Sequence, residues 1–155
     1  MTRHGISRAS DGTVRVRLGP EERLLLASLP AQVEGALGSD DPSLRRLSPP
    51  AYPDDEEAEA EYRRLVHSGL FDTRRRALQT LERTAHAEAL TPDELEAWLG
   101  ALETLRLVLG TQLDVHEEVG LAPIDEGDPN AARLALYQWL SWLQEDVVQA
   151  LAQAL

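Results

Sequence analysis

The chain has 155 residues, a formal net charge of −12 at pH 7 and no cysteine. This length suits one domain with a single core, and the lack of cysteine excludes disulfides, thiolate catalysis and cysteine-ligated zinc. The start, MTRHGISRASDG, has no apolar stretch, and no run approaches the roughly 18 apolar residues of a membrane span. We therefore expect a soluble, cytoplasmic protein that forms one domain over residues 1–155, with no signal peptide.

The charge is unevenly distributed along the chain. Residues 84–155 carry thirteen acids against two arginines, whereas residues 45–83 carry eight of each. The C-terminal half would repel nucleic acid, so any surface that faces DNA must lie N-terminal.

Residues 4–18 are predicted to form a small β-hairpin. The alternation in VRVR (14–17) gives one apolar and one basic face, which is typical of a half-buried strand. Asp11 and Gly12 fit a two-residue turn, and residues 6–9 are the partner strand. We interpret the two arginines as a solvated outer face.

Helical patterns follow the hairpin. In chain order, we predict a first helix over 20–38, a proline-rich connector over 39–53, a second helix over 54–66 and a third helix over 72–88. Pro30 should kink or split the first helix, because proline removes a backbone donor and crowds the preceding turn. Gly69 is predicted to end the second helix.

Residues 91–113 form the predicted centre of the fold. Thr91, Pro92 and Glu94 fit a capping box with proline at the first helical position. The helix that follows is apolar on nearly every side, which is typical of a helix buried by several neighbours. An acidic loop over 116–128 and a last helix to the C-terminus complete the chain. The predicted fold is mainly α, a single-domain bundle of about five helices around this central helix.

Arg106 is the most informative single residue of the central helix. On a helical wheel it lies between Leu95 and Leu99, in the middle of the leucine face. A guanidinium there must be paired or reach water, because an unpaired buried charge is costly. We interpret it as a buried structural charge paired with Glu145, Asp146 or an acid of a connecting segment. The alternative is a site for an anion or a partner's carboxylate.

Arg74, Arg75 and Arg76 form a candidate nucleic-acid contact. They would lie in the first turn of the predicted third helix, and a break at 68–71 would make an αα unit of the kind that reads DNA with its second helix. The alternative is a solvated surface paired with the acids of 56–61.

Trp142 and Tyr137 form a candidate surface for a protein partner or a homodimer. Trp142 lies off the apolar stripe of the last helix, and aromatic residues are enriched in interfaces. The alternative is a wide core stripe beneath the 116–128 loop.

The sequence shows no motif for catalysis, for a cofactor or for a metal. No two of the four histidines are three or four residues apart, and neither a GxSxG turn nor a glycine-rich phosphate loop is present. The carboxylates show no pairing typical of a general acid and base. We therefore predict a non-enzymatic protein without catalytic, cofactor-binding or metal-binding residues.

Four stretches carry a resemblance to a known family. They are VRVRLGPEERLLLASL (14–29), RRLSPPAYPDD (45–55), LTPDELEAWLGALETLRLVLGTQL (90–113) and LALYQWLSWLQEDVVQAL (134–151), with RLxLGTxL at 106–113 the most specific part. They resemble an actinobacterial domain-of-unknown-function family whose genes often neighbour that of the ClpS adaptor, and which includes an oxidative-stress transcriptional regulator.

The resemblance implies a non-enzymatic regulator that acts with an extracytoplasmic-function-type sigma factor on genes of cysteine and redox metabolism. The family's regulator senses oxidant through a CxxxC pair, whereas this chain has no cysteine. No sensing residue can therefore be carried over. The alternative that the resemblance implies is an adaptor or accessory protein in ClpS-dependent proteolysis.

Overall fold

The protein is described from a computed structural model, which covers residues 5–34, 54–113 and 131–153. The described elements are β1 (Gly5–Arg8), β2 (Val14–Arg17), α1 (Pro20–Glu34), α2 (Glu56–Thr84), β3 (Ala89–Leu90), α3 (Pro92–Leu113) and α4 (Ala131–Ala152). A mainly helical fold with a small N-terminal β-structure is thereby confirmed. The predicted connector over 39–53 and acidic loop over 116–128 lie outside the described residues.

The hairpin is confirmed, and it belongs to a three-stranded antiparallel sheet of order β1-β2-β3. The third strand, which we did not predict, pairs Val14 with Leu90 and Arg15 with Ala89. Two residues are too few for an alternating pattern to be recognised in the sequence. This strand leads directly into α3 and so fixes the start of the central helix to the sheet.

The hairpin turn is longer than predicted. Ile6 pairs with Val16, and the backbone N–H of Ala9 donates to the carbonyl of Thr13 at 2.8 Å, which leaves residues 10–12 in the loop. A two-residue turn would have set Ile6 opposite an arginine, so the apolar pattern selects the longer loop. Gly12 has a φ of 88°, a conformation that a three-residue hairpin loop requires.

Helix α2 is continuous where we predicted two helices. It runs unbroken from Glu56 to Thr84, and the backbone N–H of Ala58 donates to the Asp55 cap at 3.1 Å. The break predicted at 68–71 is therefore wrong. Glycine inside a helix costs only about 1 kcal/mol relative to alanine, which burial of the later part of α2 can offset. Leu78 and Leu81 are fully buried there.

Helix α1 also continues through its predicted break. Pro30 lies inside the single helix Pro20–Glu34 and is buried together with Leu26, Leu29 and Val33. The helix is therefore not split at this position. The end predicted at residue 38 lies outside the described residues.

Helix α3 occupies the centre of the fold, as predicted. It packs against α1, α2 and α4. Its buried side chains come from both sides of the helix and are those of Leu95, Trp98, Ala101, Leu102, Thr104, Leu105 and Val108. The leucine face and the small-residue face therefore each have a neighbouring helix.

The predicted capping box starts α3. The backbone N–H of Glu94 donates to Thr91 Oγ1 at 3.1 Å, and the backbone N–H of Thr91 donates to Glu94 Oε1 at 2.9 Å. Two backbone donors that the helix leaves unpaired are thereby satisfied.

Removing this cap should weaken the protein measurably. We expect Thr91→Ala to lower the free energy of unfolding by about 1 kcal/mol, because one donor at the helix start loses its acceptor. Urea denaturation followed by circular dichroism measures the change. Thr91→Ser retains the hydroxyl and should remain within about 0.5 kcal/mol of wild type. If Thr91→Ala and Thr91→Ser lowered the free energy of unfolding equally, the role of the Thr91 hydroxyl as the cap of α3 would be contradicted.

Candidate interaction surfaces

Trp142 and Tyr137 do not form one aromatic surface. They lie five residues apart on α4, which separates them by roughly 140° around the helix. The indole of Trp142 is 43% exposed, whereas the ring of Tyr137 lies 5.3 Å beneath the guanidinium carbon of Arg106. Of the predicted pair, Trp142 offers an exposed aromatic side chain, and Tyr137 belongs to the contact between α3 and α4.

Strand β1 is attached to α4 beside Trp142. The backbone N–H of Ile6 donates to a carboxylate oxygen of Asp146, which is buried. A Cβ atom on Gly5 would lie 2.5 Å from that carboxylate and 3.1 Å from the Trp142 ring, and the φ of Gly5 is 108°. Glycine is therefore required where the start of β1 meets α4.

Arg106 is bonded by two neutral side chains of α4, and the acids of the connecting segments that we also predicted as partners lie outside the described residues. Its Nε donates to Ser141 Oγ at 2.9 Å and its Nη1 donates to Gln144 Oε1 at 2.6 Å. Ser141, Gln144 and Tyr137 share one face of α4, whereas Asp146 lies on the opposite face and bonds β1. Arg106 is half-buried, and within the described part of the chain it has no ion pair with Glu145 or Asp146. A structural role for Arg106 stays a proposal.

The predicted triplet Arg74, Arg75 and Arg76 does not form one surface. Arg74 donates to the Oγ1 of buried Thr104 on α3 at 2.9 Å, so it joins the two helices. Arg75 pairs with Asp72 at 3.2 Å, and Arg76 is exposed. Since α2 has no break, the triplet does not begin a recognition helix.

The pairing predicted between this triplet and the acids of 56–61 is also wrong. Both groups lie on one continuous helix. Thirteen residues separate Glu61 from Arg74, a distance of about 20 Å along the helix axis. Nucleic-acid contact through the triplet stays a prediction, with Arg75 and Arg76 as its accessible members.

Arg23 makes contacts that we did not predict from the sequence. Its guanidinium donates to four backbone carbonyls, those of Leu18 at 3.2 Å, Val16 at 2.9 Å, Ala85 at 3.2 Å and Ala87 at 2.7 Å. It thereby connects α1 with β2 and with the segment between α2 and β3. Arg23 lies in the acidic first turn of α1, where a positive charge interacts unfavourably with the helix dipole. This unfavourable position was the sequence signal that Arg23 has a specific role.

Glu22 also makes contacts that we did not predict from the sequence. Its carboxylate accepts the backbone N–H of Gly19 at 2.8 Å and the indole N–H of Trp139 at 3.0 Å. The first bond caps α1 and the second joins α1 to α4. One side chain therefore fixes both the start of α1 and its position on the bundle.

Two further properties of the described residues bear on function. Over 5–34, 54–113 and 131–153, no three histidine, aspartate or glutamate side chains lie close enough together to hold a metal ion. None of the helices within those ranges is both long and apolar enough to cross a membrane.

These features define a mainly helical fold with a small antiparallel sheet. Its described surface carries the exposed Trp142 and the exposed Arg15 and Arg17. The model of a domain of unknown function, DUF2017, matches residues 3–151. The chain belongs to this family. No solved structure matches it.

Curated relatives of the chain are mycobacterial proteins. "Oxidative stress regulator AosR" of Mycobacterium tuberculosis (strain H37Rv) is 35% identical over 128 residues, which cover 72% of this chain and 58% of the relative. "Putative oxidative stress regulator AosR" of Mycobacterium leprae is 34% identical over 131 residues, which cover 72% and 59%. The chain therefore spans less than two thirds of the length of these relatives.

Proposed function

We propose that this chain is a non-enzymatic regulatory protein that acts by binding a protein partner, with a sigma factor as the class of partner. The observation that carries the proposal is its membership of a family whose curated relatives, at 34% and 35% identity, are named oxidative stress regulators. The chain has no cysteine. A regulatory role within this chain would therefore depend on binding and not on a thiol switch.

Trp142 is the side chain on which the proposed contact depends. It is large, apolar and 43% exposed, and it stands beside the docked β1 strand. Tryptophan is among the residues that most often dominate binding energy in interfaces. A homodimer through Trp142 is the alternative use of the same surface. We also propose a cytoplasmic location, where a sigma factor would be met.

Binding to sigma factors tests this proposal. The full chain, immobilised on a biosensor, is titrated with each purified sigma factor of the source organism at low and at moderate salt. We expect one of them to bind, and we expect Trp142→Ala to weaken that binding roughly tenfold or more, as for an interface hot spot. Leu24→Ala is the matched control, because Leu24 is an exposed apolar residue on α1, 62% exposed. It should leave affinity unchanged.

The proposal is overturned if no sigma factor binds at either salt concentration. Binding of ClpS in that case would favour the accessory role in proteolysis.

A further inference from the structure

A depression beside the sheet gathers three arginines in an otherwise acidic protein. It has a volume of about 280 Å³ and is lined by Arg15, Val16, Arg17, Arg23 and Glu88. The chain as a whole carries a net charge of −12. A concentration of positive charge on such a protein creates a local field that attracts anionic groups.

Two of the three arginines are available to a ligand. Arg15 and Arg17 are exposed, and neither side chain has a hydrogen bond or an ion pair with any residue of 5–34, 54–113 or 131–153. Arg23 has four bonds to carbonyls, so it is held in place and adds its charge to the depression. The site therefore combines the fixed guanidinium of Arg23 with two exposed cationic side chains, of which Arg15 also interacts electrostatically with Asp11.

The spacing of the free arginines specifies the form of the ligand. Arg15 and Arg17 are alternate residues of β2, so their side chains leave the same face of the sheet about 6.7 Å apart. Alternate side chains of an extended peptide have the same spacing. Each guanidinium can bind a carboxylate through two parallel N–H donors.

We propose that Arg15 and Arg17, with Arg23 and Glu88, form a binding site for the carboxylates of an extended acidic peptide segment of a partner protein. Arg15 and Arg17 bind two carboxylates, and the Glu88 carboxylate can accept an N–H from the peptide backbone. This inference goes beyond the proposed function, because it holds whether or not the partner is a sigma factor.

Nucleic acid fits this site less well than an acidic peptide. Proteins that bind duplex DNA through its backbone neutralise roughly six to ten phosphates, whereas this depression offers two free arginines. The thirteen acids of residues 84–155 would further oppose the approach of a polyanion as long as a duplex.

Titration with a defined acidic peptide tests the site. The full chain, labelled with ¹⁵N, is titrated with acetyl-hexaglutamate amide, acetyl-hexaglutamine amide and a 20-base-pair duplex. We expect hexaglutamate alone to shift the Nε–H signals of Arg15 and Arg17. The double substitution Arg15→Gln with Arg17→Gln should weaken its binding about tenfold or more, because two charge-assisted pairs are lost. The single Arg15→Gln should give an intermediate loss.

The matched control removes the same charge elsewhere. Arg76 and Arg133 are both exposed, and Arg76→Gln with Arg133→Gln should leave hexaglutamate affinity within about twofold of wild type, since distant exposed charges are screened. Equal weakening by the two double variants would show attraction to net charge only and would overturn the proposal. So would no binding of hexaglutamate, or tighter binding of the duplex at the same arginines.

Discussion

Replacing Trp98 with alanine should lower the free energy of unfolding by about 3–5 kcal/mol, the cost of truncating a large aromatic side chain in a core. Trp98 is fully buried in the N-terminal third of α3. Its indole N–H donates to Thr84 Oγ1 at 2.7 Å, and that hydroxyl donates in turn to the carbonyl of Thr80 at 2.6 Å. The variant therefore loses packing and leaves a buried hydroxyl with an unused acceptor. Urea denaturation followed by circular dichroism measures the loss.

Two controls separate the contributions of Trp98. Trp98→Phe keeps a ring but loses the bond to Thr84, so it should cost about 1–2 kcal/mol. Trp142→Ala makes the same chemical change at a residue that is 43% exposed, and it should cost less than Trp98→Ala, about 1–2 kcal/mol. If Trp98→Ala were no more destabilising than Trp142→Ala, α3 could not be the centre of the core.

Arg23→Met should lower the free energy of unfolding by about 2–3 kcal/mol, because hydrogen bonds from a charged donor contribute more than neutral ones. Methionine preserves much of the aliphatic stem but none of the four bonds to Leu18, Val16, Ala85 and Ala87. The carbonyls of Leu18 and Val16 belong to one segment, and those of Ala85 and Ala87 belong to another. If the variant lets these segments move apart, hydrogen exchange should also be faster at the backbone N–H of residue 16, which donates to Glu88 at 2.9 Å.

Arg17→Met is the matched control for Arg23. Arg17 is exposed on β2, so its loss should change stability by less than about 0.5 kcal/mol. Arg23→Lys should fall between the two, since an ammonium lacks the planar set of donors that reaches several carbonyls at once. Equal stability of Arg23→Met and Arg17→Met would contradict a connecting role for Arg23.

The central helix could be predicted because its signals are local and strong. The capping box at Thr91 and Glu94 and the apolar pattern that follows need no tertiary information. The hairpin was predictable for the same reason. Strand β3 was not, because two residues carry no pattern and pair only once α3 and β2 are in place.

The break predicted in α2 was wrong because a local signal was overruled by packing. Ser68 and Gly69 are poor helix residues, but the cost of one glycine is small. Leu78, Leu81 and Ala85 farther along the chain are fully buried. Pro30 is a second local signal that packing overrules, because it lies buried inside the continuous helix α1.

A helical wheel predicts the direction in which a side chain points but not the residues that it contacts. The wheel placed Arg106 toward a neighbouring helix, and it does contact α4. It could not identify the partners, because these depend on which face of α4 lies opposite. Arg23 was missed because its four acceptors are backbone carbonyls, which have no signature in the sequence.

Hydrogen exchange along α3 tests most directly whether this helix is the buried centre that leaves the outer surfaces free for partners. Amides between Leu95 and Val108 should exchange only through global unfolding, so their opening free energy should equal the free energy of unfolding from urea denaturation. Amides at both ends of α4 should open at lower free energy. Exchange of the α3 amides through local opening, several kcal/mol below global unfolding, would contradict the account.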